Sequence, residues 1–227
     1  MSLENPVWSS LAGDHAAFSV GGDILKAYPP AIVPVGAVAE PIELQEDDVD
    51  AVMRGRASLA FAGTLPRGIR SQRYRLEPHD PIVQMVADEL REAPKRTAAE
   101  IVTLERSHVA AMLELSARVY PAYFRERTIE IGRYAGIFEG GSLVAMAGLR
   151  LAPRGYRELS GVITDPDYAG RGYAGMLVAH LAYAVAEEGR VPMLHHDADN
   201  QRAHALYEAM GFVTTRMIPM CTLTGPA

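Results

Sequence analysis

The chain has 227 residues, room for one large or two modest domains that each bury a sizeable apolar interior. With 48% hydrophobic and 22% charged residues it is not a mainly disordered chain, and a net charge of −6 does not build the broad positive field that a nucleic-acid partner requires. Its single cysteine, Cys221, excludes an internal disulfide and a multi-thiolate metal site and suits a reducing compartment.

Taken in chain order, the opening MSLENPVWSS lacks the basic start and apolar stretch of a secretory signal, so a cytoplasmic location is expected. Strand-like runs at 31–38, 58–62 and 72–76 alternate with predicted helices at 47–53 and 81–90, and Pro29, Pro30 and Pro34 break the first run into short pieces. The charged stretch 89–100, centred on Pro94, Lys95 and Arg96, is the expected domain boundary. It divides an N-terminal α/β half, residues 1–95, from a second domain, residues 96–227.

The second domain opens on a strand at 101–104, followed by a helix that Ser107 can cap, with Val109, Met112, Leu113, Ala117 and Tyr120 at helical spacing. Runs at 134–138 and 143–151 flank the turn Glu139, Gly140, Gly141, Ser142 and read as a hairpin. A strand at 157–164, a Gly-rich loop and a helix stopped by Gly189 follow. Next come a strand at 192–196, a helix at 200–210 stopped by Gly211, and a last strand in which Cys221 is a small buried residue. The order is β-α-β-β-β-α-β-α-β. The longest nearly apolar run, 176–186, contains His180 and is too short for a bilayer, so no membrane partner is expected.

The loop Gly170, Arg171, Gly172, Tyr173, Ala174, Gly175 satisfies a dinucleotide-binding pattern, with Asp197 downstream as a ribose partner. Against that reading, residues 165–169 separate the strand from the first glycine, and only 52 residues follow Gly175, too few for the rest of a doubly wound domain. The bland alternative is a turn in which glycine supplies positive φ between a strand and a helix.

The context of the loop adds a third reading. Ala169, Gly170, Arg171, Gly172, Tyr173, Ala174 resembles the Gln/Arg-x-x-Gly-x-Gly/Ala loop of the GNAT superfamily of N-acyltransferases, with Ala169 departing from the usual Gln or Arg. Asn200, Ala203, Tyr207, Gly211 and Phe212 stand in the register of that family's Asn-x-x-Ala-x-x-x-Tyr-x-x-x-Gly-Phe pattern. The resemblance covers about residues 96–220. The first 95 residues look like a degenerate half related to the glycine N-acyltransferase subgroup.

The resemblance implies an α/β fold with a mainly antiparallel central sheet flanked by helices, and acetyl-CoA as acyl donor. Gly170, Gly172 and Ala174 let the backbone approach a pyrophosphate, with the amides of Arg171 and Tyr173 available at the helix start. It further implies that Val162, Ile163 and Thr164 bond the pantetheine arm through their backbone, that Asn200 and Ala203 contact it, and that Tyr207 protonates the departing thiolate. Asn200 can also serve as an N-cap, and Tyr207 as core packing.

Glu158, Ser160, Val162 and Thr164 share one face of an ideal strand, which puts a carboxylate on the same face as the strand end, and the resemblance implies that Glu158 is the base, directly or through a water. An exposed glutamate paired with Arg157 or Arg190 is the alternative. His195 and His196 point to opposite faces of a strand and do not ligate one ion together, so no metal is expected; His195 or, alternatively, His196 is placed at the acyl end of the cleft. Tyr120, Tyr123, Phe124, Arg125 and Arg127 form an aromatic and basic cluster in the region where the resembled family places substrate-contacting helices, which implies an acceptor role, with a solvated amphipathic segment as the alternative. The expected reaction is direct acetyl transfer to a primary amine of a small molecule or amino acid in a ternary complex. A non-catalytic acyl-CoA-binding module is the competing reading, and the N-terminal half is open to covering the acceptor site, forming a homodimer contact or only stabilising the fold.

Overall fold

The computed structural model describes residues 2–91, 99–121 and 124–225. The N-terminal stretch contains α1 (Pro6–Leu11), β1 (Val20–Gly21), β2 (Leu25–Ala27), β3 (Val35–Val38), β4 (Glu43–Gln45), α2 (Glu46–Met53), β5 (Ser58–Ala62), β6 (Gly68–Arg70) and β7 (Arg75–Val86). Then come β8 (Val102–Leu104), α3 (Val109–Val119), β9 (Tyr134–Glu139), β10 (Ser142–Leu149), β11 (Tyr156–Thr164), α4 (Tyr173–Glu187), β12 (Val191–Asp197), α5 (Gln201–Ala209) and β13 (Val213–Thr224).

Local chemistry accounts for several of these elements. In α2, Gln45 and Asp48 form a capping box, Glu46 and Asp47 complement the helix dipole, and Val49, Val52 and Met53 are buried. Between β9 and β10, Gly140 at φ +58° and Gly141 at φ +84° supply the two positive φ values that a tight two-residue hairpin turn needs. Helix α4 buries Leu177, Val178, Leu181, Ala182 and Val185 against one face of the sheet, while α3 buries Met112 and Leu115 among Met146 and Ile163 on the other.

Eleven strands form one sheet in the order β1-β2-β3-β5-β13-β7-β12-β11-β10-β9-β8, and β4 pairs with β6 apart from it. Strand β7, from the N-terminal stretch, lies between β12 and β13 and is antiparallel to both. This corrects the helix expected at 81–90. Val83, Gln84, Met85 and Val86 are all buried, so the run lacks the alternation that marks a half-exposed strand. Pro78 and Pro81 lie in the part of β7 that pairs only with β13, because the register with β12 spans Ile82 to Val86. The expected boundary at 95/96 falls outside the described residues.

Candidate functional site

Strands β11 and β12 run parallel and pair from Tyr156 opposite Val191 as far as Leu159 opposite Leu194, where their ladder ends. Beyond that point β10 remains paired along β11 and β7 along β12, so the two strands part while each keeps its outer neighbour. The gap is a cleft of roughly 280 Å3, lined by Ser160, Gly161, Val162 and Ile163 from β11 and by His195, His196 and Asp197 from β12. Asn200 at the N-cap of α5, Ala203 and Tyr207 within it, and Tyr120 and Arg150 also line the cleft. From Ser160 onward the edge of β11 toward β12 has no strand partner among the described residues, which leaves peptide N–H and C=O groups for something else to pair with.

A bulge sits in this wall. Met146 pairs with Ile163 and Gly148 with Ser160, so two residues of β11 oppose one of β10, and Gly161 takes φ +60°. The bulge interrupts the period-two reading of this strand between Ser160 and Ile163, so the face shared by Glu158 and Ser160 is not carried by simple alternation to Val162 and Thr164.

Glu158 is fully buried and its carboxylate is engaged on both oxygens. It accepts from Arg150 Nε at 2.9 Å and Nη2 at 2.8 Å, from the Leu151 N–H at 3.1 Å and from His195 Nδ1 at 2.7 Å. Desolvation pushes this carboxyl upward, but the Arg150 charge and the bonds from Arg150 and His195 more than reverse it, holding it well below the usual carboxylate range. His195 Nε2 lies 3.0 Å from the Gln84 amide nitrogen, which donates, so the ring proton sits on Nδ1 toward Glu158. Glu158 therefore bonds neither Arg157 nor Arg190, and its charge is spent on two residues that themselves line the cleft.

Tyr207 is buried, its ring 5.9 Å from that of His196 and 6.0 Å from that of Phe212, and burial pushes its hydroxyl up to about 12. His196 turns away from His195: its Nδ1 bonds the Asp197 carbonyl at 2.8 Å and its Nε2 meets His204 Nδ1 at 3.1 Å. Asn200 caps α5 through the Ala203 N–H at 3.0 Å and also lines the cleft, so its two readings coexist.

At the start of α4, Gly170 (φ +81°) and Gly172 (φ +86°) hold the turn in a left-handed conformation, and Gly172 caps the helix without a side chain. The first intrahelical bond there is Met176 N–H to the Gly172 carbonyl, so the N–H groups of Tyr173, Ala174 and Gly175 have no partner within the helix. Arg171 stacks on Tyr168 at 4.6 Å, and Tyr173 is buried with its hydroxyl on Glu139 at 2.7 Å, which leaves Tyr173 only its backbone to offer.

A crystal structure of a protein from Novosphingobium aromaticivorans, assigned to the GNAT-family acetyltransferases, is 30% identical and superposes with a TM-score of 0.84, covering all of both chains. The chain belongs to the GNAT family. The family model described as FR47-like protein matches residues 134–217, the hairpin and the two strands that part. GCN5-related N-acetyltransferase from Kribbella flavida, at 14% identity over 96% of this chain and 95% of its own, shares the fold with a TM-score of 0.60. A GCN5-related N-acetyltransferase-like protein from Streptococcus suis does so at 16% identity over 97% and 92%, also with a TM-score of 0.60. No curated protein matches.

Within this GNAT fold the residues expected for the acceptor separate. Tyr120 lines the cleft and its hydroxyl donates to Asp197 Oδ2 at 3.2 Å. Phe124 instead packs edge-on against Tyr134 at 5.4 Å, buried in the core beneath α3, because an aromatic ring gains more from that apolar contact than from the cleft mouth. Tyr123 lies outside the described residues. Arg127 pairs with Glu130 at 2.8 Å. Sequence reasoning missed Arg150, Gln84 and the His196–His204 contact; a basic residue at the end of a predicted core strand was the available signal for Arg150. Among the described residues no three His, Cys, Asp or Glu side chains converge to hold a metal ion, and no helix is long and apolar enough to cross a membrane.

Proposed function

We propose that this GNAT protein transfers the acetyl group of acetyl-CoA to a primary amine of a small molecule or amino acid, in a ternary complex. The observation that carries the reading is the parting of β11 and β12, which leaves the β11 edge from Ser160 to Thr164 free to pair with the amides of a pantetheine arm. The amides at Gly172, Tyr173 and Ala174 suit the pyrophosphate, with Gly170 keeping the approach open and Arg171 near at hand. Acetyl-CoA supplies an activated thioester carbonyl, and the backbone N–H groups of Val162 and Thr164 are the donors suited to polarise it, since Ile163 between them is paired with Met146 of β10.

Tyr207, kept neutral by its surroundings, is assigned the protonation of the leaving sulfur. Glu158 is assigned a positioning role: it fixes Arg150 and His195 at the cleft and holds His195 in one tautomer. Asp197, held by Tyr120, offers a carboxylate that orients the incoming ammonium group, which gives up one proton to water before it attacks; the proton that the nitrogen then sheds balances the one Tyr207 gives to sulfur.

The engagement of both Glu158 oxygens is the one observation that favours a non-catalytic acyl-CoA-binding module, which needs no base. Calorimetric titration with acetyl-CoA, CoA and NADH tests the ligand, and thiol release across a panel of amines tests the chemistry. Saturable acetyl-CoA binding with amine-dependent thiol release carries the proposal; binding without release leaves the module, and no binding removes both.

A further inference from the structure

A second cavity, of roughly 450 Å3, opens where the connection after α1 passes the starts of β11 and β12, and it shares no lining residue with the cleft. Arg133, Arg157 and Arg190 line it together with Asp14, Glu130 and Glu188. Two of these guanidinium groups are answered at the rim: Arg190 by Asp14 at 2.5 Å, and Arg133 by Glu188. Those carboxylate side chains are 47% and 43% exposed. Glu130 is taken by Arg127 at 2.8 Å and Arg106 at 3.2 Å.

Arg157 is different. Among the described residues it has no carboxylate partner; its Nη1 meets His15 Nε2 at 3.0 Å and its Nη2 donates to the Ile131 carbonyl at 2.6 Å. A guanidinium only donates, so His15 Nε2 accepts and its Nδ1 carries the ring proton toward the buried Tyr28 hydroxyl at 2.7 Å. The hydrogen bonds of Arg157 thus go to neutral groups, and the carboxylates of Asp14 and Glu188 attract it only from a distance. Burial and the neighbouring Arg190 charge hold its guanidinium below the ordinary value, and burial with the Arg157 charge brings His15 down to about 4. The chain passes close beside the guanidinium: a Cβ on Gly132 would stand 2.9 Å from Arg157 Nη2 and 2.0 Å from the Leu149 carbonyl oxygen, so only glycine fits at this edge of the cavity.

We propose that this cavity binds a small oxyanion, a carboxylate or a phosphate, received by Arg157 with Arg133 and Arg190 beside it. The planar guanidinium fork matches either group, and the guest supplies the directly bonded anion that Arg157 lacks among the described residues. Asp14 and Glu188 compete for the two outer arginines and cap the affinity, and both can swing into solvent from the rim. The site is independent of acetyl-CoA binding, so failure at the cleft leaves it standing.

Calorimetric titration of the full chain at low ionic strength, with succinate and separately with inorganic phosphate, tests the site. Saturable binding of at least one is expected, and which one binds names the class. In an Asp14→Asn, Glu188→Gln double variant the affinity rises about threefold or more, because the competing rim carboxylates are gone; Arg157→Gln abolishes it. The proposal is overturned if neither anion binds the wild type or the double variant up to about 10 mM, or if Arg157→Gln binds unchanged. Binding that saturating CoA removes belongs to the loop at Gly170 and also counts against it. Should Arg157→Gln fail to fold, unchanged affinity in the double variant overturns the proposal.

Discussion

Replacing Glu158 by Ala removes a buried carboxylate that accepts four hydrogen bonds, from Arg150 twice, Leu151 and His195. Arg150, whose side chain is 15% exposed, and His195, at 5%, stay in place without that partner. Breaking a buried pair from one side costs about 3–5 kcal/mol, a large share of the roughly 5–15 kcal/mol that holds a folded chain together. With a urea slope of about 3 kcal/mol/M, the unfolding midpoint at pH 7 falls by about 1 M or more. Since the folded carboxyl lies below its ordinary 4.5, its contribution is complete above that pH and is lost as the pH falls toward the folded value. The gap between wild type and variant therefore stays constant from pH 7 to about 5 and narrows under more acidic conditions. Urea titrations followed by circular dichroism measure it; a gap under about 1 kcal/mol at pH 7, or one that widens on acidification, refutes the assigned role.

Tyr207→Phe should lower turnover about 100-fold or more while leaving the melting temperature nearly unchanged, since only the hydroxyl is removed; because that hydroxyl sits near 12, wild-type activity shows no tyrosine limb below about pH 11. Gly172→Leu places a side chain on a residue at φ +86°, at a cost of about 1–2 kcal/mol, and should abolish acetyl-CoA binding in a chain that still melts cooperatively. Gly148→Ala puts a Cβ 2.1 Å from the Tyr134 ring and should destabilise the sheet by about 1–3 kcal/mol or more in thermal melts. His15 is held near 4 when folded against 6.5 ordinarily, so the unfolded chain takes up its proton first as the pH drops. Wild-type stability should fall between those values, and His15→Gln should flatten that slope in melts across the window.

The elements that could be read from sequence carry their own local chemistry. The Gly140–Gly141 turn, the glycine stops of the helices before Gly189 and Gly211, and the Asn200 cap each act within a few residues and fall where they were expected. Strand β7 was misread because its partners, β12 and β13, lie more than a hundred residues away in the chain and leave no mark on its own composition. Glu158 was sited on the right strand, but the Gly161 bulge shifts the alternation, and an isolated glycine does not announce which residue the bulge displaces. Phe124 and Tyr120 looked equivalent in sequence; which ring enters the core depends on Tyr134, ten residues beyond Phe124.

The position of β7 ties the life of the whole sheet to one segment. Cutting the chain anywhere in the stretch after Val86 leaves neither fragment with a finished sheet: one holds β7 without its neighbours, and the other holds β12 and β13 with facing raw edges. Such edges are templates for aggregation. The long closure between Val86 and Met193, and between Arg75 and Thr224, also makes assembly slow in the manner of proteins dominated by distant pairings. Produced as two separate chains, residues 1–91 and 99–227 should therefore associate when made together, and precipitate rather than refold once denaturant separates them.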